Sequence, residues 1–179
     1  MTLITGGVRS GKSRYAEGLC RERGDKTLYL ATGTGYDSLM QEKIRRSQKN
    51  RSMAWVTREG YVNLEQVIKA EGNRYDSILL DSVTSWVADH MKLIIADDPG
   101  ISLRDLEKRL LSLLSPLLDA AIRTSAEVFL VTNEVGFSFD PATERMRRFV
   151  EAMGRVNQHL AAACNRVVFV WAGLPVQLK

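Results

Sequence analysis

Apolar and polar positions along the 179-residue chain fall into two kinds of run. Short apolar runs that end in glycine or a polar residue read as strands: Thr2 to Thr5, Thr27 to Ala31, Ser77 to Leu80 closing on Asp81, Glu127 to Thr132, and Arg166 to Trp171. Around Trp55 to Thr57 the pattern is also extended. Helical spacing predicts a helix from Lys12 to about Arg23, stopped by Gly24, and a basic amphipathic helix capped by Asp37 with Leu39, Met40 and Ile44 on its apolar face. Further helices are expected over Leu64 to Ala70, around Trp86 and His90, from about Leu103 to Thr124, and from about Ala142 to Cys164. Pro116 lies inside the longest of these and should kink or split it, because proline lacks the N–H donor and clashes one turn back. Asp97-Asp98-Pro99-Gly100 reads as a turn rather than a domain linker.

Strands that are apolar throughout and separated by helices predict an α/β fold: a mainly parallel sheet with helices on both faces. One domain, residues 1–179, is expected from this length. Ligands of such sheets bind at the C-terminal ends of the strands. Four polar clusters fall there, Gly6 to Ser13, Thr32 to Gly35, Asp81 to Thr84, and Asn133-Glu134, and they imply one site.

Composition changes this picture little. The chain is 45% hydrophobic and 26% charged, ordinary for a water-soluble fold. Its net charge of +4 is too small to argue for nucleic acid, although Lys43, Arg45, Arg46, Lys49 and Arg51 crowd one segment and Arg145, Arg147 and Arg148 another. Those groups are either solvated faces or a field that attracts phosphates. Cys20 and Cys164 have neither CxxC spacing nor histidine partners, so neither a disulfide framework nor a zinc site is expected. The first strand leaves no room for a leader, and no apolar run approaches a membrane span, so a cytoplasmic protein is expected.

The chemistry concentrates in Gly6-Gly7-Val8-Arg9-Ser10-Gly11-Lys12-Ser13, which satisfies GxxxxGK[ST] between a strand and a helix. Glycines let the backbone wrap so that successive N–H groups face the β-phosphate of a purine nucleoside triphosphate. The helix N-terminus adds its positive dipole. Lys12 should reach the β- and γ-phosphates, and the Ser13 hydroxyl should join a Mg²⁺ shell. Asp81, ending an apolar strand, stands where a second Mg²⁺ ligand belongs, although an aspartate there also suits a helix cap. Asn133-Glu134-Val135-Gly136 lacks the lysine and aspartate of a guanine-reading NKxD motif, which argues against a Ras-like GTPase. These residues alone reach a generic small-molecule kinase.

The chain resembles a specific family, the bifunctional adenosylcobinamide kinase/adenosylcobinamide-phosphate guanylyltransferases of cobalamin biosynthesis. The resemblance is carried by TGG-x-RSGKS at Thr5 to Ser13, Y-L-A-T at Tyr29 to Thr32, Lys43-Ile44, and Arg51 to Trp55 followed by Glu59. It continues through Asp81, Thr84 and Trp86, T-N-E-V-G at Thr132 to Gly136, G-R-x-N-Q at Gly154 to Gln158, and G-L-P at Gly173 to Pro175. It implies a RecA-like P-loop fold and two reactions. In the first, the aminopropanol hydroxyl of adenosylcobinamide takes a phosphoryl group from ATP or GTP. In the second, the product takes GMP from GTP by way of a guanylylated histidine. It further implies nucleotide contacts at Gly6 through Ser13, Ala31, Thr32, Gly33, Gln48, Lys49, Asn50, Arg51, Glu59 and Asp81, and a homo-oligomer, with a trimer as the suggested state.

One position departs from the family. The guanylylated histidine falls three residues after Ile44 and four before Arg51, where this chain has Ser47. Imidazole attacks phosphorus readily and releases it again, whereas a serine hydroxyl without a base is a poor nucleophile and forms a stable ester. Lys49, His90 and direct attack by the cobinamide phosphate are the substitutes left open. The kinase reaction needs no covalent intermediate, only positioning and charge neutralisation. Glu134 is the preferred acceptor of the hydroxyl proton, with Asp81 as the alternative and a purely structural hydrogen-bond role for Glu134 also open. Trp55, Trp86 and Trp171 read as core or interface residues rather than corrin platforms. Two other readings stand beside the enzyme: a nucleotide-binding regulatory protein that has lost catalysis, and a RecA-like ATPase acting on nucleic acid.

Overall fold

A computed structural model describes residues 1–32, 55–60, 62–137 and 141–179. The described chain builds one seven-stranded sheet. In chain order the elements are β1 (Thr2–Thr5), α1 (Lys12–Arg23), β2 (Thr27–Ala31), β3 (Val56–Glu59), α2 (Leu64–Glu71), β4 (Ser77–Asp81) and α3 (Val83–Asp97). They continue with α4 (Leu103–Arg123), β5 (Glu127–Val131), α5 (Glu144–Ala163), β6 (Arg166–Trp171) and β7 (Leu174–Gln177). The strand order is β3-β2-β4-β5-β1-β6-β7, parallel except for β7, which returns antiparallel beside β6.

Side-chain alternation divides the apolar strands between two core layers. Leu3, Leu28, Leu30, Ile78, Leu80 and Leu130 face the layer covered by α2 to α5. Ile4, Tyr29, Leu79, Phe129 and Val168 face Ala16 and Cys20 of α1. Burial on both faces explains why these strands read as continuous apolar runs. Two polar positions inside the sheet pair with each other: Thr27 Oγ1 and Ser77 Oγ lie 2.9 Å apart across β2 and β4.

Most expected elements form within a residue or two of their sequence bounds. α5 begins at Glu144 rather than Ala142, because Thr143 caps it by accepting from Met146 N–H. Pro116 does not split α4, which runs unbroken over 21 residues. The proline is solvent-exposed, so the carbonyl that loses its partner faces water, while buried Leu114, Leu117 and Leu118 hold the helix on the sheet. Trp55 and Trp86 lie in the core as expected, but Trp171 is 62% exposed. The strand β7 has no counterpart among the sequence expectations. Cys20 and Cys164 are buried and not disulfide-bonded, and burial pushes the Cys164 thiol up to about 11. The basic helix expected after Asp37 lies outside the described residues, as do Gly33, Ser47, Gln48, Lys49, Asn50 and Arg51.

Candidate nucleotide site at the strand ends

The parallel register sets the polar ends of four strands in a row. Ala31 pairs with Asp81, Asp81 with Val131, and Val131 with Ile4, two residues before Gly6. With neighbouring strands about 4.8 Å apart, Asp81 stands two strands from the phosphate loop, about 10 Å in the sheet plane. A nucleotide's phosphates fit that span.

The loop between β1 and α1 is shaped by close approaches. Gly6 has φ 155°, and a Cβ there would lie 2.3 Å from the Val170 carbonyl oxygen and 2.8 Å from Ser10 Oγ. Arg9 (φ 58°) and Gly11 (φ 97°) turn the chain through the left-handed region into α1. Gly173, at the tip of the β6–β7 hairpin, donates to the Ser10 carbonyl at 2.8 Å and so braces the loop from outside. Glu134 N–H donates to the Gly6 carbonyl at 3.0 Å and braces it from β5.

Several features of this loop suit an anion. α1 has Gly11 at its N-cap, no side-chain cap and no acidic residue in its first turn, whereas Ser82, Ser102 and Thr143 cap α3, α4 and α5. The first N–H groups of α1 are therefore left for a ligand. Ser10 Oγ is buried without a hydrogen-bond partner among the described residues, a costly arrangement unless a bound group satisfies it. The Lys12 ammonium, in a residue only 8% exposed, lies over the loop and donates to the Gly7 carbonyl at 2.9 Å.

Around the loop, hydrogen bonds fix the neighbouring strand ends. Tyr29 OH donates to Asp81 Oδ2 at 3.1 Å, orienting the carboxylate from β2. Thr32 Oγ1 accepts from Ser82 N–H at 2.9 Å and donates to the Ser82 carbonyl, tying the end of β2 to the start of α3. Asn133 N–H donates to Thr84 Oγ1 at 2.7 Å, Thr132 Oγ1 donates to Asn157 Oδ1 at 2.8 Å, and Asn157 Nδ2 returns to the Asn133 carbonyl at 3.0 Å. The sequence patterns pick out Thr84, Thr132 and Asn157 but give them no task. In the fold they clamp the β5 end between α3 and α5.

Glu134 stands beside the loop with one carboxylate oxygen accepting from Gly136 N–H at 2.7 Å. That contact accords with the structural role left open for it, and among the described residues it leaves the second oxygen for other work. Glu59 is not brought to the loop. It ends β3 on the far sheet edge, four strands from β1, or about 19 Å. His90 lies two turns into α3, its Nδ1 2.8 Å from the Trp86 carbonyl and its ring 4.1 Å from the Trp86 ring. Burial pushes its pKa below the usual value, against the opposing pull of the Trp86 carbonyl and of Asp89. Among the described residues no cluster of three His, Cys, Asp or Glu side chains forms a metal cage, and no helix is long and apolar enough to cross a membrane.

The parallel sheet with a phosphate loop after its first strand defines a P-loop nucleotide-binding protein. A solved ATPase of a bacterial type III secretion system shares this fold, with a TM-score of 0.55 and 14% identity over 94% of this chain; the chain spans half of that ATPase. Residues 2–178 match the family model "Cobinamide kinase / cobinamide phosphate guanyltransferase", and the chain belongs to that family. The bifunctional adenosylcobalamin biosynthesis protein CobU of Escherichia coli (strain K12) is 38% identical over 181 aligned residues, covering 100% of this chain and 99% of its own. The protein of the same name from Salmonella typhimurium (strain LT2) is 36% identical with the same coverage.

Proposed function

We propose that the protein phosphorylates the aminopropanol hydroxyl of adenosylcobinamide with ATP or GTP. The observation that carries this reading is the phosphate loop, with its uncapped α1, buried Ser10 hydroxyl and overlying Lys12, in a chain of the cobinamide kinase family. The loop N–H groups and Lys12 hold the β- and γ-phosphates. The substrate hydroxyl oxygen forms a bond to the γ-phosphorus as the bond to the β,γ-bridging oxygen breaks, leaving a nucleoside diphosphate. Glu134, anchored by its own N–H to Gly6, is the group proposed to take the hydroxyl proton. Ser13 and Asp81 supply hard oxygen donors, which suit Mg²⁺ completed by phosphate oxygens and water. When bound, that ion neutralises charge developing on the phosphates.

The guanylyl transfer of the family is a separate matter. Ser47 occupies the place of the histidine nucleophile, and His90 makes a poor stand-in because it sits two turns down α3 with its ring packed on Trp86. We accordingly assign the kinase reaction to this chain and not the covalent guanylyl route. We further propose that it works in the cytoplasm as a homo-oligomer, as the family resemblance implies.

The test supplies adenosylcobinamide with GTP labelled at the γ- or the α-phosphorus. Label from the γ-position should reach the corrinoid, and Lys12→Met should lower that rate about 10²–10³-fold, as removal of one preorganised transition-state donor does. No γ-transfer by a protein that still hydrolyses ATP would defeat the kinase reading. Acid-labile α-label on the wild-type protein would show that another residue carries GMP. A Ser47→His variant should gain that label.

A further inference from the structure

Between α3 and α5 an open groove of about 840 Å³ starts at the strand ends and runs outward. Its floor is apolar, formed by Ala88, Met91, Ile95, Val135 and Phe149. Lys92, Arg145 and Arg148 bring donors to its walls, and Met146 stands at the rim, 53% exposed. The volume lies within the roughly 300–1,000 Å³ range of small-molecule sites.

The groove begins beside the nucleotide site. Thr84, Ala88, Met91, Lys92 and Ile95 follow the i, i+4, i+7, i+8, i+11 spacing of one face of α3. Thr84 on that face holds Asn133 N–H, and Ala88 lines the groove one turn later, about 6 Å along the axis. Val135 closes the inner end and follows Glu134, whose N–H binds the Gly6 carbonyl of the phosphate loop. At the outer end Arg148 donates to the Ile101 carbonyl at 2.6 Å, fastening α5 to the turn between α3 and α4. A molecule lying in the groove therefore has its inner end at Val135, next to the residue that braces the phosphate loop.

We infer that this groove holds the corrinoid substrate, the macrocycle against the apolar floor and the hydroxyl-bearing arm directed past Val135 to the phosphate loop. The inference rests on the kinase reading above and names where its acceptor sits. The ring supplies apolar surface, and its peripheral carboxamides supply carbonyl acceptors. Arg145 is exposed, makes no ion pair among the described residues, and matches those acceptors. Lys92 is already held by Asp89 at 2.8 Å, which leaves its remaining donors for the same purpose.

Equilibrium dialysis of adenosylcobinamide against the full protein, with a non-transferable ATP analogue present, tests this without turnover. Ala88→Phe fills the inner floor, and Met146→Glu places a charge on an exposed rim position where folding is not at stake. Each should weaken corrinoid binding by about tenfold or more, while analogue affinity stays within about twofold. Arg145→Ala should weaken it by a few-fold. Wild-type protein that binds the analogue but no corrinoid overturns the groove assignment and the kinase reading together. Unchanged corrinoid binding in both groove variants overturns the groove assignment alone, and a lower oligomer mass in them would then mark it as a contact between copies. Weakened binding together with absent γ-phosphoryl transfer sustains the groove and defeats the kinase.

Discussion

Ser10 shows how a binding loop trades stability for function. Its hydroxyl is buried beside Gly6 and has no partner among the described residues, so the free protein carries the cost of desolvating it. Ser10→Ala should raise the stability of the nucleotide-free protein by up to about 1 kcal/mol in urea titration and weaken ATP binding. A destabilised Ser10→Ala protein would show that the hydroxyl is satisfied after all. His90 sets a second expectation. Burial holds its pKa below the ordinary 6.5, opposed by the Trp86 carbonyl, Asp89 and Glu65, so the unfolded chain binds the proton more readily than the folded one. This contribution is complete above the unfolded pKa and is lost as pH falls below it toward the folded value. The melting temperature should fall from pH 7.5 to 5.5, and fall less in a His90→Gln variant; equal falls would remove His90 from the account. The phosphate loop itself was legible in sequence because its chemistry lies within eight consecutive residues, Gly6 to Ser13. The clamp of Thr84, Thr132, Asn133 and Asn157 was not, because its partners are brought together only by the register of β4, β5 and α5. The place of Glu59 also could not be read from sequence: only the strand order sets it beside Ala31, four strands from the phosphate loop.

Among the elements, burial decided which ones sequence could foretell. β1, β2, β4 and β5 are buried almost end to end, and their unbroken apolar runs leave little choice of state. β7 is exposed along its whole length and contains Pro175, a residue that normally argues against a strand. It exists because the turn at Ala172 (φ 50°) and Gly173 (φ 85°) folds it back on β6. α4 gives the converse case, a helix that survives a residue that normally ends one. Leu114, Leu117 and Leu118 stay buried, so packing outweighs the missing hydrogen bond. Restoring that bond should therefore add stability. Pro116→Ala, on the exposed face, is expected to raise the unfolding free energy by about 1–3 kcal/mol, less whatever the freer unfolded chain takes back. Denaturant midpoints check this, and a lower midpoint would mean that the ring makes contacts the helix depends on.

At the scale of the molecule the two edges of the sheet differ in chemistry. β3 ends the sheet with Arg58 and Glu59, and Arg58 forms a two-pronged pair with Glu71 of α2 (2.9 Å at its shortest) that raises the arginine pKa. Charge of this kind discourages another strand from pairing there. The β7 edge lacks that protection. Leu174 is 68% exposed, and Trp171, Val176 and Leu178 stand open beside it. Phe169 stacks under Trp171 at 6.0 Å and meets Phe137 edge-on, carrying the apolar surface toward the phosphate loop. An apolar edge of this kind suits a partner surface, and the homo-oligomer proposed above would supply one in a second copy. Sedimentation of the wild-type protein should therefore show a homo-oligomer, and a Leu174→Lys, Val176→Glu double variant should shift it toward the monomer. Because Gly173 of the same hairpin holds the Ser10 carbonyl, dissociation should also weaken nucleotide binding. A wild-type monomer, or a double variant with unchanged mass, would leave the apolar edge without a partner and remove the link between assembly and the phosphate loop.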